Sequence, residues 1–218
     1  MPCRKRAFLR TGFLLPVCLI AVSCAAVAPP LRDPSLRALL APRSYCGEVR
    51  VRVSGEQGAA SFEAIVLADP PARAELTAVD PLGRTVAEYI IEPKGISLVA
   101  DGGIISPLRG DLLPSPGWYS AAFTLLGGRL PGVLAGPPVA VRGGYRAVCR
   151  LDGLTLDIFL DEQLSPRRIV GDDGVIVSLR PGGGLFPSSL TAEAEGGRLE
   201  VVPLSLEPCD NPFRRGRP

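Results

Sequence analysis

The sequence predicts a mainly β protein built on one large antiparallel sheet, and three observations predict it. Gly 25 and Pro 23 in 218 residues punctuate the chain every few positions, so long helices have little room. Apolar residues recur at period two, most clearly in "EVRVRVSG", where Val49, Val51 and Val53 fall on one face and Glu48, Arg50 and Arg52 on the other. Hairpin dipeptides Asp152-Gly153, Asp173-Gly174 and Gly196-Gly197 join successive runs, with no βαβ alternation.

The strand-length runs follow in order. After 48–55 come "ASFEAIVLADP", "ARAELTAVD", "TVAEYIIEP" and "GISLVADGG", the first two separated by Pro70-Pro71. The second half offers "YRAVCRL", "LTLDIFLD", "RRIVG", "GVIVSLR", "SSLTAEAE" and "RLEVVPLSLE". That makes about ten or eleven short strands joined mostly as hairpins. One stretch breaks the pattern. "LLPSPGWYSAAFTLLGGRLPGVLAGPP" starts a helix at Ser115-Pro116, with Pro at the first helical position, and stops it at Gly127-Gly128. "PGVLAG" is expected to add a second single turn. Trp118, Tyr119, Ala122, Phe123, Leu125 and Leu126 make the helix apolar on most sides, as suits a helix lying across a sheet face or an ordinary core helix.

The first residues are a targeting segment. "MPCRKRAFLRTGFLLPVCLIAVSC" begins basic and then runs apolar without charge. Val22 and Ser23 immediately before Cys24 have the form of a bacterial lipobox, with cleavage before Cys24 and diacylglycerol on its thiol. A plain cleaved signal and a membrane-spanning anchor are the alternatives, and Pro16 argues against the anchor. Residues 1–23 are therefore expected to be a signal peptide and 24–44 a lipidated Pro-rich tether, with one short helix at Pro34–Leu40. Residues 45–208 form the folded domain, and 209–218 a disordered tail. Ala25 after the cysteine fits an outer-membrane destination on the periplasmic face. Three acyl chains at about 0.8 kcal/mol per buried methylene would make that anchor effectively permanent.

Composition excludes several chemistries. There is no histidine, which removes Ser-His-Asp and Cys-His catalysis and the commonest zinc ligand. Of 24 basic residues, Arg4, Lys5, Arg6 and Arg10 sit in the leader, leaving 20 against 22 acidic ones. A net of −2 is no footprint for nucleic acid. The acid pairs Asp161-Glu162 and Asp172-Asp173 sit beside turn residues and read as solvated hairpin ends. No G-x-S-x-G sequence occurs, so an enzyme is not expected. Cys46, Cys149 and Cys209 remain after the leader in a compartment that permits disulfides. They allow one bridge with the pairing open, and their spacing fits neither a metal nor a redox motif.

"AVDPLGRT" raises the sharpest question. Asp80-Pro81-Leu82-Gly83 has the residue order of a tight turn, yet its third position, which faces water, is Leu82. The order of "GEVRVRVSG", the Phe62 strand, "ARAELTAVDPLGRTVAEYI", "GISLVADG", "LLGGRLPGVLAG" and "LFPSSLTAEAEGGRLEVVPLSLE" resembles the LolA/LolB half-barrel family over about residues 45–207. That resemblance implies an incomplete antiparallel β-barrel of about eleven strands with short helices as a lid. It implies an apolar cavity holding acyl chains of lipoproteins or lipids, to which Trp118, Tyr119, Phe123 and Leu126 would contribute. It also implies a membrane-insertion loop at Pro81, Leu82 and Gly83, a periplasmic LolA-like donor, and no cofactor or metal. The chain departs from the family in a shorter Leu126–Gly136 region, in "VLAG" without the expected tryptophan, and in carrying a single Trp. The functions left in play are a carrier or inserter of acylated cargo and a non-transporting envelope scaffold on the same fold.

Overall fold

The computed structural model describes residues 43–56, 58–101, 113–115, 117–210 and 212–213. The expected signal, Cys24, the tether up to residue 42 and the helix expected at Pro34–Leu40 lie outside the described residues. Thirteen strands form one antiparallel sheet: β1 Tyr45–Gly55, β2 Gly58–Asp69, β3 Arg73–Val79, β4 Thr85–Glu92, β5 Gly95–Asp101, β6 Val133–Leu134, β7 Val139–Val141, β8 Gly144–Leu151, β9 Leu154–Leu160, β10 Pro166–Gly171, β11 Ile176–Arg180, β12 Ser189–Ala194 and β13 Gly197–Pro208. One helix, α1 Gly117–Leu126, lies between β5 and β6.

Eleven of these strands are the runs read from the sequence. The two extra ones, β6 and β7, are two and three residues long. β6 corrects one expectation: "PGVLAG" is not a helical turn, because Val133 and Leu134 pair with Arg150 and Cys149 of β8. Gly132 explains the difference. Its φ is +77°, and a Cβ there would lie 2.2 Å from the Arg150 carbonyl oxygen. The chain is turned and pressed against β8 where a helix would have lifted away. Among the described residues α1 is the single helix, so the lid of several short helices reduces to one.

The strand order is β5-β4-β3-β2-β1-β13-β12-β11-β10-β9-β8-β6, with β7 also on β8. Every neighbour is a hairpin partner except β6–β8, which has β7 between its strands in sequence, and β1–β13, where the first and last strands pair from Tyr45↔Pro208 to Gly55↔Gly197. Alternation built this sheet. Val49, Val51 and Val53 are buried, as are Val66, Leu76, Tyr89, Ile158, Val177 and Val201 on the same face of their strands. At the seam Gly47 has φ +146°, and a Cβ there would fall 1.8 Å from the Ser205 carbonyl oxygen. Only glycine lets β13 approach.

The sheet curls around α1. The helix packs on β3, β4 and β5 and also on β12, six steps from β5 in the strand order. At about 4.8 Å per step a flat sheet would separate β5 and β12 by about 29 Å. A ten-residue helix is only about 15 Å long. Contact with both flanks therefore requires curvature, and the sheet is an open half-barrel with α1 in its concavity.

Within the segment read as a tail, the Cys209 amide donates to the Ser44 carbonyl at 3.1 Å. The Arg73 guanidinium sits 5.5 Å from the centre of the Phe213 ring.

Candidate functional site

The helix is held at both ends and along its length. Ser115 Oγ accepts the Gly117 amide at 3.3 Å, satisfying one of the free donors of the first turn. At the other end Gly128, with φ +71°, donates to Leu125 O at 2.8 Å while Arg129 N–H donates to Thr124 O at 3.3 Å. That double bond closes the helix in a Schellman motif. All ten residues are buried, among them Trp118, Tyr119, Phe123 and Leu126.

Three polar contacts fix α1 to the sheet. Trp118 Nε1–H donates to Asp173 Oδ2 at 2.7 Å. Tyr45 O–H donates to the Phe123 carbonyl at 2.8 Å, and burial pushes the Tyr45 phenol well above its ordinary pKa. Ser120 Oγ donates to Pro71 O at 3.2 Å. Gly171 makes the first contact feasible, since a Cβ on it would sit 2.3 Å from Trp118 Cζ2. Tyr45, Gly171 and Asp173 were missed from the sequence. Tyr45 continues the odd-numbered apolar face of β1, which was a usable signal; Asp173 looked like a plain hairpin acid.

Among the described residues, one gap along the side of α1 is small. Between Pro70, Pro71, Ile91, Ser120, Phe123 and Thr124 it amounts to about 10 Å³. A larger apolar groove, about 600 Å³, opens at the end of β1–β4. Phe62, Ala78, Val79, Val86 and Ala87 line it, with Ala60 at its mouth and the Arg50–Glu63 ion pair (2.7 Å) on its rim. Alanines at 60, 78 and 87 leave the space that longer side chains would fill. Phe62 stacks on buried Tyr89 with ring centres 6.5 Å apart, giving the groove a firm aromatic wall.

Pro81 borders this groove, and the turn beside it is latched by one carboxylate. Asp80 Oδ1 accepts the Leu82 and Arg84 amides, each at 2.9 Å. Asp80 Oδ2 takes the Arg84 guanidinium at 2.7 Å through Nε. Gly83, at φ +77°, donates to Asp80 O at 2.8 Å. The Arg84 amide and guanidinium hold the Asp80 carboxyl below its ordinary pKa. Leu82 then stands 78% exposed. It does not fold back onto its own sheet.

The structure thus sets Pro81 at the border of an apolar groove, with Leu82 and Gly83 next along the same turn. It places Trp118, Tyr119, Phe123 and Leu126 elsewhere, inside the packed concavity. Cys46 and Cys209 come together at the β1–β13 seam, while Cys149 is buried on β8. Among the described residues no group of His, Cys, Asp or Glu has the arrangement of a metal site. Of the acid pairs, Asp161 latches its turn by accepting the Gln163 and Ser165 amides at 2.9 and 2.8 Å, and Asp172 accepts the amide of Thr155 on β9 at 3.2 Å.

An open antiparallel half-barrel with an apolar groove and an exposed apolar turn tip is the class of structure that the described residues define. Sequence comparison narrows the class. Over 95 residues the chain is 34% identical to the outer-membrane lipoprotein LolB of Chromobacterium violaceum. The match takes in 43% of this chain and 51% of that protein, so the chain spans about half the length of the curated relative it matches. Over that stretch the chain is similar to LolB. No protein-family model matches it. Among solved structures it overlaps a LolA superfamily protein from Nitrosomonas europaea with a TM-score of 0.49, at 11% identity over 79% of this chain and 89% of that one. A DUF1329 family protein from Desulfovibrio piger overlaps with a TM-score of 0.42, at 10% identity over 80% of this chain and 89% of that one.

Proposed function

We propose that the protein is a lipid-anchored envelope protein that holds acyl chains of lipoproteins or lipids in the Phe62 groove. In this reading it releases them to the membrane through the Leu82 turn. The observation that carries the reading is the meeting of an apolar groove of about 600 Å³ with an exposed Leu on a latched turn. That volume lies in the range of small-ligand sites. Burying the Leu82 side chain in an interface is worth about 1.5–3 kcal/mol. That is too little to anchor a protein but enough to bias how the groove faces the membrane. The anchor itself is assigned to acylated Cys24, the location to the periplasmic face of the outer membrane, and the donor to a periplasmic LolA-like carrier. No catalytic step is assigned, since hydrophobic cargo needs no reacting group.

A fluorescent fatty acid titrated into the purified protein tests the groove. Saturable binding displaced by unlabelled fatty acid is expected, and Ala60→Phe at the exposed mouth should abolish it while leaving the melting temperature unchanged. Binding that Ala60→Phe leaves intact would remove the groove from the mechanism. A second reading, a scaffold that transports nothing, draws on the packed space beneath α1. It wins if no saturable apolar binding is found at all.

A further inference from the structure

A second cavity, about 500 Å³, lies among the β9–β10 and β11–β12 connections and the C-terminal end of α1. By the strand register these connections are at the end of the sheet opposite the Leu82 turn. Its polar character is one-sided. Arg43, Arg129, Arg167 and Arg180 line it, and no lining residue is acidic. Arg167 is already paired with Asp161. Among the described residues Arg43, Arg129 and Arg180 make no ion pair.

Arg129 is the informative one. Its Nε is buried with no hydrogen-bond partner, an arrangement that costs free energy unless something supplies an acceptor. Burial, and then the positive charge of Arg43 nearby, push the Arg129 guanidinium below its ordinary pKa. Two like charges held beside a cavity, one with a buried unused donor, are disfavoured until an anion enters between them. The walls behind them are apolar, including Leu125, Leu185 and Phe186. Gly182 lets the β11–β12 loop fold over the opening, because a Cβ there would meet the Phe186 carbonyl oxygen at 2.2 Å.

We propose that this cavity is an anion site that takes a phosphate group, with Arg43 and Arg129 as its principal ligands and Arg180 at its edge. Planar guanidinium forks match the oxygens of phosphate, which can accept from two arginines at once. The phosphate can arrive free or as the headgroup of an anionic lipid whose glycerol and first methylenes meet Leu185 and Phe186. The site does not depend on acyl chains occupying the Phe62 groove.

The test uses the full-length protein in a non-ionic detergent, titrated by calorimetry with inorganic phosphate, dihexanoyl phosphatidic acid and uncharged dihexanoylglycerol. Saturable binding of phosphatidic acid is expected, and Arg129→Gln should weaken it about ten-fold or more, the loss of a charged hydrogen-bond donor. Arg43→Gln, in a segment before β1, provides a second variant should Arg129→Gln fail to fold. Arg146→Gln, which breaks an exposed pair with Asp157, should change nothing. If inorganic phosphate binds as tightly as phosphatidic acid, the site takes free anions; if only the lipid binds, it is a headgroup site. Binding of dihexanoylglycerol equal to that of phosphatidic acid would overturn the proposal. So would the absence of saturation by either anion, or arginine variants no weaker than Arg146→Gln. Ala60→Phe should leave this binding intact, which separates its failure from that of the acyl groove.

Discussion

Cys46 and Cys209 come together across the seam where the first and last strands pair. Register explains the meeting: Cys46 faces Glu207, and Cys209 donates its amide to Ser44, so the two cysteines are diagonal neighbours on one face. Burial first, and the Cys46 thiol second, push Cys209 up to about 12.

In an oxidising compartment these two should form the single disulfide of the domain, each thiol giving up its hydrogen to a disulfide donor of that compartment. Denatured but unreduced protein from the periplasm should then alkylate at Cys149 alone among the three. Three reactive thiols would refute the bridge. The loop closed is long, so the gain in stability approaches about 5 kcal/mol on chain-entropy grounds.

Gly171 is a space reserved for the Trp118 ring. Gly171→Ala should displace the indole from Asp173 and destabilise the domain by about 1–3 kcal/mol through overpacking. Denaturant unfolding measures the loss, and tryptophan emission, from the one Trp of the chain, reports the changed environment. An unshifted emission spectrum with unchanged stability would mean the ring does not need that space.

Leu82→Glu should leave stability within about 0.5 kcal/mol of the parent, as for other exposed positions. It should still bind a fluorescent fatty acid but transfer it to vesicles more slowly, since a charge now meets the interface. Normal transfer would reduce the turn to a turn, and unfolding would show that Leu82 packs after all.

Asp80 sets a pH window for the latch. Its folded pKa is depressed, first by the Arg84 amide and then by the Arg84 guanidinium. The stabilisation is therefore complete above the unfolded value of about 4 and is lost as pH falls through the lower folded value. An NMR titration of the Asp80 carboxyl should give a midpoint below 3.8. A midpoint at or above that value would mean the carboxylate does not hold the loop. Asp80→Asn should loosen the Leu82 and Arg84 amides at every pH.

Strands were legible wherever one face is buried and the other wet, because alternation is then imposed on the sequence itself. Val49, Val51 and Val53 are the plainest case, and the Ser115 cap and Gly127-Gly128 stop bounded α1 as expected. β6 and β7 were not legible, since two or three residues carry no period and Gly132 acts through a contact with Arg150 distant in sequence. The Leu82 turn was visible from Asp80-Pro81-Leu82-Gly83 alone. Its groove was not, because Ala60, Ala78 and Ala87 come from three different strands and only the register gathers them. The Trp118–Asp173 bond was hidden for the same reason, joining a helix to a hairpin 55 positions away.

The seam between β1 and β13 also governs the order of assembly. β1 comes first among the strands in the chain and β13 last, so two separate meanders, β1–β5 and β8–β12, must wait unjoined for the end of the chain. Such long-range closure folds slowly, and until it happens β1 presents an unpaired edge to any extended segment nearby. A chain truncated before Gly197 would keep both halves and lose the strand that joins them, becoming prone to pair with a second copy through that edge.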